Sequence, residues 1–231
     1  MGFPPPLQER VLRVLAPVCE PYGLALAGWH AFGAHGVAVR PGDGLDLVAA
    51  SEIPLALVAR GVAGAFPADG LEATIAEVTR RTGRVVVKDP VTGQTCACGL
   101  HREALQVPPI TWGSLKVVGL DDAVGLRMRA LHEGGLAGDL IDVAAVAHLY
   151  SYRALERLGA AHHDGFSVHE LLVRLEFADL MGPESFEAHG LDEERIKELR
   201  RFTRDWVADI KLRRADDGDA DHDSPDVPEI D

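Results

Sequence analysis

The chain has 231 residues, 47% hydrophobic and 26% charged, a composition that supports one large or two small domains with real cores. Its formal charge is −13, but Asp216, Asp217, Asp219, Asp221, Asp223, Asp226, Glu229 and Asp231 carry eight of those charges, leaving a body of only −5. That balance excludes tracking of a phosphate backbone and sequence-specific DNA binding, and no apolar run reaches the ~18 residues of a membrane span.

The opening MGFPPPLQERVL has neither the basic nor the apolar region of a secretory signal. Cys19, Cys96 and Cys98 form no disulfide framework, so a reducing cytoplasm is the expected compartment. Gln8 to Cys19 has helical period, with Val11, Leu12, Leu15 and Val18 on one face. A short buried strand follows at Leu24 to Ala27, then a Gly turn, a short helix, a loop and a second strand at Leu45 to Ala50. Glu52 to Phe66 reads as a helix with Pro54 in its first turn. Leu71 to Val78 fits helix or strand, and the Thr82-Gly83 turn ahead of a plain β run favours strand. That β run is Arg84 to Lys88; Asp89 to Gly93 then makes a hairpin loop returning as Gln94 to Gly99. Trp112 to Val118 is one more strand.

Beyond it the period changes to 3.6. Asp121 caps a helix to about His132, Asp139 to Leu149 is a second, and Tyr152 to Ala161 a third. Ser167 to Leu180 opens with a Ser-Val-His-Glu capping box. Asp192 to about Arg213 closes the helices with Ile196, Leu199, Phe202, Trp206 and Ile210 as its seam. The expected class is α+β: a mixed sheet with helices over residues 1–119, a helical bundle over 120–213, and an acidic disordered tail over 214–231.

The chemistry concentrates between Tyr22 and Ala50. Gly28-Trp29-His30-Ala31 follows a strand and opens a helix, where backbone N–H groups suit a phosphate. Asp43 and Asp46 stand at the entrance of the next strand and offer the hard oxygens that Mg²⁺ requires. A metal pair on a strand belongs at i and i+2, and here Gly44 occupies the place two before Asp46. Asp121, Asp139 and Asp142 suit helix starts and surfaces as readily as a site. His162-His163-Asp164 has no further ligand at zinc spacing, and a solvated loop is the plainer reading. Cys96 and Cys98 alternate on a strand and read as small buried residues of one face. Trp29, Trp112 and Trp206 read as core or groove aromatics.

Over residues of about 20 to 150 these blocks resemble the AbiEii/AbiGii-type toxin nucleotidyltransferases, a divergent branch of the DNA polymerase β-like superfamily. The resemblance rests on Gly28-Trp29-His30-Ala31, Arg40-Pro41, Gly44-Leu45-Asp46-Leu47, LDDAVGLR from Leu120 and GDLIDV from Gly138. It implies a nucleotidyltransferase-like sheet followed by a helical bundle. It also implies Mg²⁺-dependent transfer of an NMP from an NTP to an acceptor hydroxyl, and an antitoxin-like protein partner. On that pattern Asp46 and Asp43 hold metal, Asp139 assists catalysis, and Gly28, Trp29, His30, Arg40 and Arg127 contact the nucleotide. The departures fall at the same site. Trp29 replaces a glycine of the turn, Gly44 the first aspartate, Arg127 a lysine and Gly138 an arginine; a third carboxylate is missing around Cys96 to Leu100. Two readings follow: an Mg²⁺-dependent nucleotidyltransferase, or an inactive or repurposed fold that binds a partner or serves another small-molecule reaction.

Overall fold

A computed structural model describes residues 6–37, 42 and 44–216, so Arg40, Pro41, Asp43 and the tail from 217 lie outside the described residues. The chain divides into two compact units, Met1–Ala123 and Val124–Asp231. In the first, α1 (Pro6–Tyr22), β1 (Leu24–Leu26), α2 (Gly28–Ala34), β2 (Gly44–Ala49) and α3 (Leu55–Ala65) lead through a 3₁₀ turn to β3 (Glu72–Val78), β4 (Thr82–Lys88), β5 (Thr95–Arg102), β6 (Ile110–Trp112) and β7 (Leu115–Val117). One mixed sheet has the order β3-β4-β5-β2-β1-β7-β6. β2 runs parallel to β5 and β1 parallel to β7; the other neighbours are antiparallel.

Side-chain alternation decides what each strand buries. Leu45 and Leu47 of β2, Val85 and Val87 of β4, and Cys96, Cys98 and Leu100 of β5 face inward. They pack with Val11, Leu15 and Cys19 of α1 and with Leu55, Val58 and Val62 of α3. Burial pushes the Cys19 thiol up to about 11, and the hydrogen bond with Cys96, followed by burial, raises Cys98 as well. The same alternation turns Gly44 and Asp46, and on β5 Ala97, Gly99 and His101, to the opposite face.

The second unit holds most of α4 (Leu120–Gly134), then α5 (Ala137–Ala144), α6 (Tyr152–Ala160), α7 (Val168–Leu180), α8 (Glu184–Glu187) and α9 (Glu193–Asp216). Ser167 caps α7, its hydroxyl accepting the Glu170 N–H at 3.4 Å. On α9 Ile196, Leu199, Trp206 and Ile210 are buried as the seam requires. The Trp206 indole N–H donates to Glu156 Oε1 at 3.0 Å, and Arg213 holds both oxygens of that carboxylate.

The α+β class and the ambiguous β3 are as expected; several boundaries are not. Trp112 to Val118 is a hairpin rather than one strand, because Gly113 takes φ +59 and folds β6 back on β7. That leaves Trp112 42% exposed, not in a core. Thr82-Gly83 belongs to β4, and the turn precedes it, with the Thr79 hydroxyl accepting the Arg81 and Thr82 N–H groups. Pro54 is the residue before α3 rather than within its first turn. Asp121 lies inside α4, which starts at Leu120. The helix expected to reach Leu149 stops at Ala144. The one-turn α8 had no periodic signal.

Candidate functional site

Asp46 sits mid-strand on β2, and its backbone carbonyl accepts the Ala27 N–H at 2.8 Å, which continues the β1–β2 ladder to the turn. Gly28 then takes φ +57, a conformation that favours glycine. The absence of a side chain there is used a second time: a Cβ at Gly28 would stand 2.5 Å from Asp46 Oδ2. On the other flank Asp46 is in register with Gly99 of β5, where a Cβ would stand 2.9 Å from both Asp46 Oδ1 and His101 Nε2. Two glycines thus clear a cradle over which Asp46 and His101 lean together. Their Oδ1–Nε2 distance is 3.5 Å, and the side chains are 45% and 36% exposed.

The rest of the turn packs instead of opening. The Trp29 indole lies against Gly42, and its Nε1–H donates to the Gly44 carbonyl at 3.2 Å. The His30 ring, its centroid 3.7 Å from that of the indole and tilted 36° to it, is 3% exposed, and neither ring nitrogen has a hydrogen-bond partner. Burial pulls its imidazole down to about 4, against a smaller opposing influence of the Asp46 carboxylate, so it is neutral at pH 7. Helix α2, which opens at this turn, spans seven residues.

The metal implied by the resemblance meets a donor set unlike paired Mg²⁺ carboxylates. A Cβ at Gly44 would fall 2.5 Å from the Ala97 carbonyl oxygen, because β2 and β5 pair closely there. A carboxylate two residues before Asp46 has no room. On β5 the group that reaches Asp46 is an imidazole nitrogen, which is a poor Mg²⁺ ligand. Among the described residues no group of three or more His, Cys, Asp or Glu side chains is placed to hold a metal ion, His162-His163-Asp164 included. Among the described residues, Asp46 with His101 does not make a two-carboxylate Mg²⁺ site. Asp43 and Arg40, expected as metal and nucleotide ligands, lie outside the described residues.

The second unit brings two of the expected residues together, but with each other. Arg127 NH1 donates to Asp139 Oδ1 at 2.8 Å, and Arg127 Nε stands 3.3 Å from Asp142 Oδ2. The three side chains are 21%, 12% and 3% exposed. One guanidinium thus neutralises two nearly buried carboxylates and ties α4 to α5. This is the bridging geometry for which arginine is better suited than lysine.

His101 is the residue that sequence reading passed over. Its signal was there: with Cys96, Cys98 and Leu100 inward, Ala97, Gly99 and His101 must share the outward face.

No family model and no curated protein matches the chain. Solved structures do. JHP933 from Helicobacter pylori aligns with TM-score 0.52 at 16% identity, over 92% of this chain and 96% of that one. MenT4, a nucleotidyltransferase toxin from Mycobacterium tuberculosis, aligns with TM-score 0.51 at 15% identity, over 88% and 92%. The fold is nucleotidyltransferase-like; at these identities the likeness carries no further.

Proposed function

We propose that this chain is a nucleotidyltransferase-fold protein in which paired-metal NMP transfer has been lost, and whose cradle of Asp46 and His101 serves to bind a small molecule or to run different chemistry on it. The observation that carries this reading is the contact at Gly44. Phosphoryl transfer of this type is positioning and charge neutralisation by metal ions, and it is sensitive to the loss of one metal carboxylate. Here the position two before Asp46 is packed against the Ala97 carbonyl, so the loss is built into the backbone pairing. Arg127, the expected phosphate ligand, has its charge taken up by Asp139 and Asp142.

Asp46 and His101 remain a working pair. A carboxylate beside an imidazole is the usual arrangement for orienting a general base or for sharing a ligand. Both are more than a third exposed and therefore reachable by a small molecule. Among the described residues no helix is long and apolar enough to cross a membrane. An antitoxin-like protein partner stays part of the proposal, supported by the likeness to MenT4.

Retention of Asp46 over the Gly28 turn favours the second reading, transfer of an NMP to an acceptor hydroxyl. Incubation with each α-labelled NTP and Mg²⁺ separates the two. The first reading expects no labelled product; Mg²⁺-dependent labelling that Asp46→Ala abolishes establishes the second.

A further inference from the structure

A cleft of about 460 Å³ opens in the second unit, lined by Arg153, Glu156 and Arg157 of α6, Phe166 and Val168 at the entry to α7, and Arg213 of α9. That volume lies within the roughly 300–1,000 Å³ of small-molecule sites. The three arginines differ in what they have left to give. Arg213 is spent: Nη1 and Nη2 donate to the two oxygens of Glu156, and Nε donates to Asp209 Oδ2 at 2.8 Å. Glu156, 6% exposed, is in turn held by Arg213 and the Trp206 indole. Arg153 and Arg157 are exposed, and neither guanidinium has a hydrogen bond or ion pair among the described residues. They stand one turn apart on α6, a spacing at which like charges disfavour the helix. The cleft thus offers two unbalanced positive charges in a chain whose formal charge is −13. The apolar part of the lining is held in place. Phe166 stacks on His132 with centroids 4.7 Å apart, and its ring edge fills the space over Gly159, where a Cβ would stand 2.5 Å from Cε2.

We propose that this cleft binds a small molecule bearing a terminal phosphomonoester, its phosphate held by Arg153 and Arg157 and its flat or apolar body resting on Phe166 and Val168. A phosphomonoester carries about −1.5 to −2 at pH 7, which two guanidiniums balance, whereas a carboxylate would leave one of them unmatched. The planar fork of each guanidinium also suits phosphate oxygens. Two free cations in a bounded cleft of an acidic chain fit a small anion; a nucleic-acid backbone asks for a longer run of cations. The site uses residues of the second unit alone and does not depend on Asp46.

Titration of the full chain with phenyl phosphate at low salt, followed by calorimetry and by phosphorus NMR line broadening, tests the site. The wild type is expected to bind one equivalent. Arg153→Gln and Arg157→Gln together should weaken binding by about tenfold or more, and each alone by less. Arg201→Gln removes a positive charge elsewhere on α9, from a side chain that is also exposed and without a partner among the described residues, and should leave binding unchanged. Inorganic phosphate, which lacks the ring, and benzoate, which lacks the second charge, should each bind more weakly than phenyl phosphate. Circular dichroism of each variant confirms folding. Absence of binding to the wild type overturns the proposal, and so does equal affinity in wild type and the double variant. Benzoate binding as tightly as phenyl phosphate would assign the cleft to carboxylates and overturn it too. A short single-stranded RNA without terminal phosphates that outbinds phenyl phosphate, and loses that advantage in the double variant, would make the cleft a nucleic-acid contact instead. No NTP or Mg²⁺ is present, so these results stand apart from the outcome of the NTP-transfer assay.

Discussion

Asp46 occupies the space that a side chain at Gly28 would need, with Oδ2 2.5 Å from the Cβ position. Gly28→Ala therefore meets two penalties, the left-handed φ of +57 and the displacement of the carboxylate. Equilibrium urea unfolding should show a loss of about 1–3 kcal/mol. In an Asp46→Ala background only the backbone penalty remains, so the two losses should not add. Strict additivity would mean that residues 28 and 46 do not share this space.

Gly44→Asp rebuilds on paper the carboxylate pair suggested by the family resemblance. The new Cβ meets the Ala97 carbonyl oxygen at 2.5 Å, and relief requires β2 and β5 to separate. The variant should lose about 1–3 kcal/mol, as overpacked sites do, and should gain no Mg²⁺-dependent activity. A thermal melt together with a transfer assay decides this; a variant as stable as wild type and newly active would contradict the account.

His30 gives the fold a pH dependence whose sign is set by burial. Its folded imidazole titrates at about 4, while an unfolded one titrates near 6.5. A depressed pKa contributes stability that is present above 6.5 and lost as pH falls through 4, because the unfolded chain takes up the proton first. The scale is about 3 kcal/mol. His30→Leu removes both unpartnered nitrogens and should flatten the decline in melting temperature between pH 7 and pH 4. The same slope in variant and wild type would remove His30 as its source.

Arg127→Ala strips the counter-charge from Asp139 and Asp142. Breaking a buried pair by removing one partner costs about 3–5 kcal/mol, and Arg127→Lys, which cannot bridge both acids in the same geometry, should fall between. Urea midpoints of the three proteins check this order. Unchanged stability in Arg127→Ala would show that the arginine is not a clasp between α4 and α5.

Local chemistry was legible in the sequence where it was local in cause. Local pattern identified β2, β4 and β5 as strands and put Cys96 and Cys98 on one face of β5, and Gly28 after a buried strand identified the turn. The capping box at Ser167 named its own helix start. What stayed hidden depends on pairing between distant segments. His101 meets Asp46 only because β5 lies parallel to β2 in one register, with Gly99 opposite Asp46. The obstruction at Gly44 belongs to that same register and cannot be seen in either strand alone. Arg127 and Asp139 looked like two functional residues because nothing in their spacing says that α5 turns one against the other. Gly113 reversed the chain inside a stretch whose apolar alternation otherwise ran unbroken.

The central claim is that the cradle persists while paired-metal NMP transfer has been lost. The most direct measurement incubates the full chain with each α-labelled NTP, Mg²⁺ and a cell extract as the source of acceptors, beside an Asp46→Ala control. The account predicts no labelled RNA, protein or small molecule above that control. Mg²⁺-dependent labelling of any acceptor, abolished by Asp46→Ala, would contradict it.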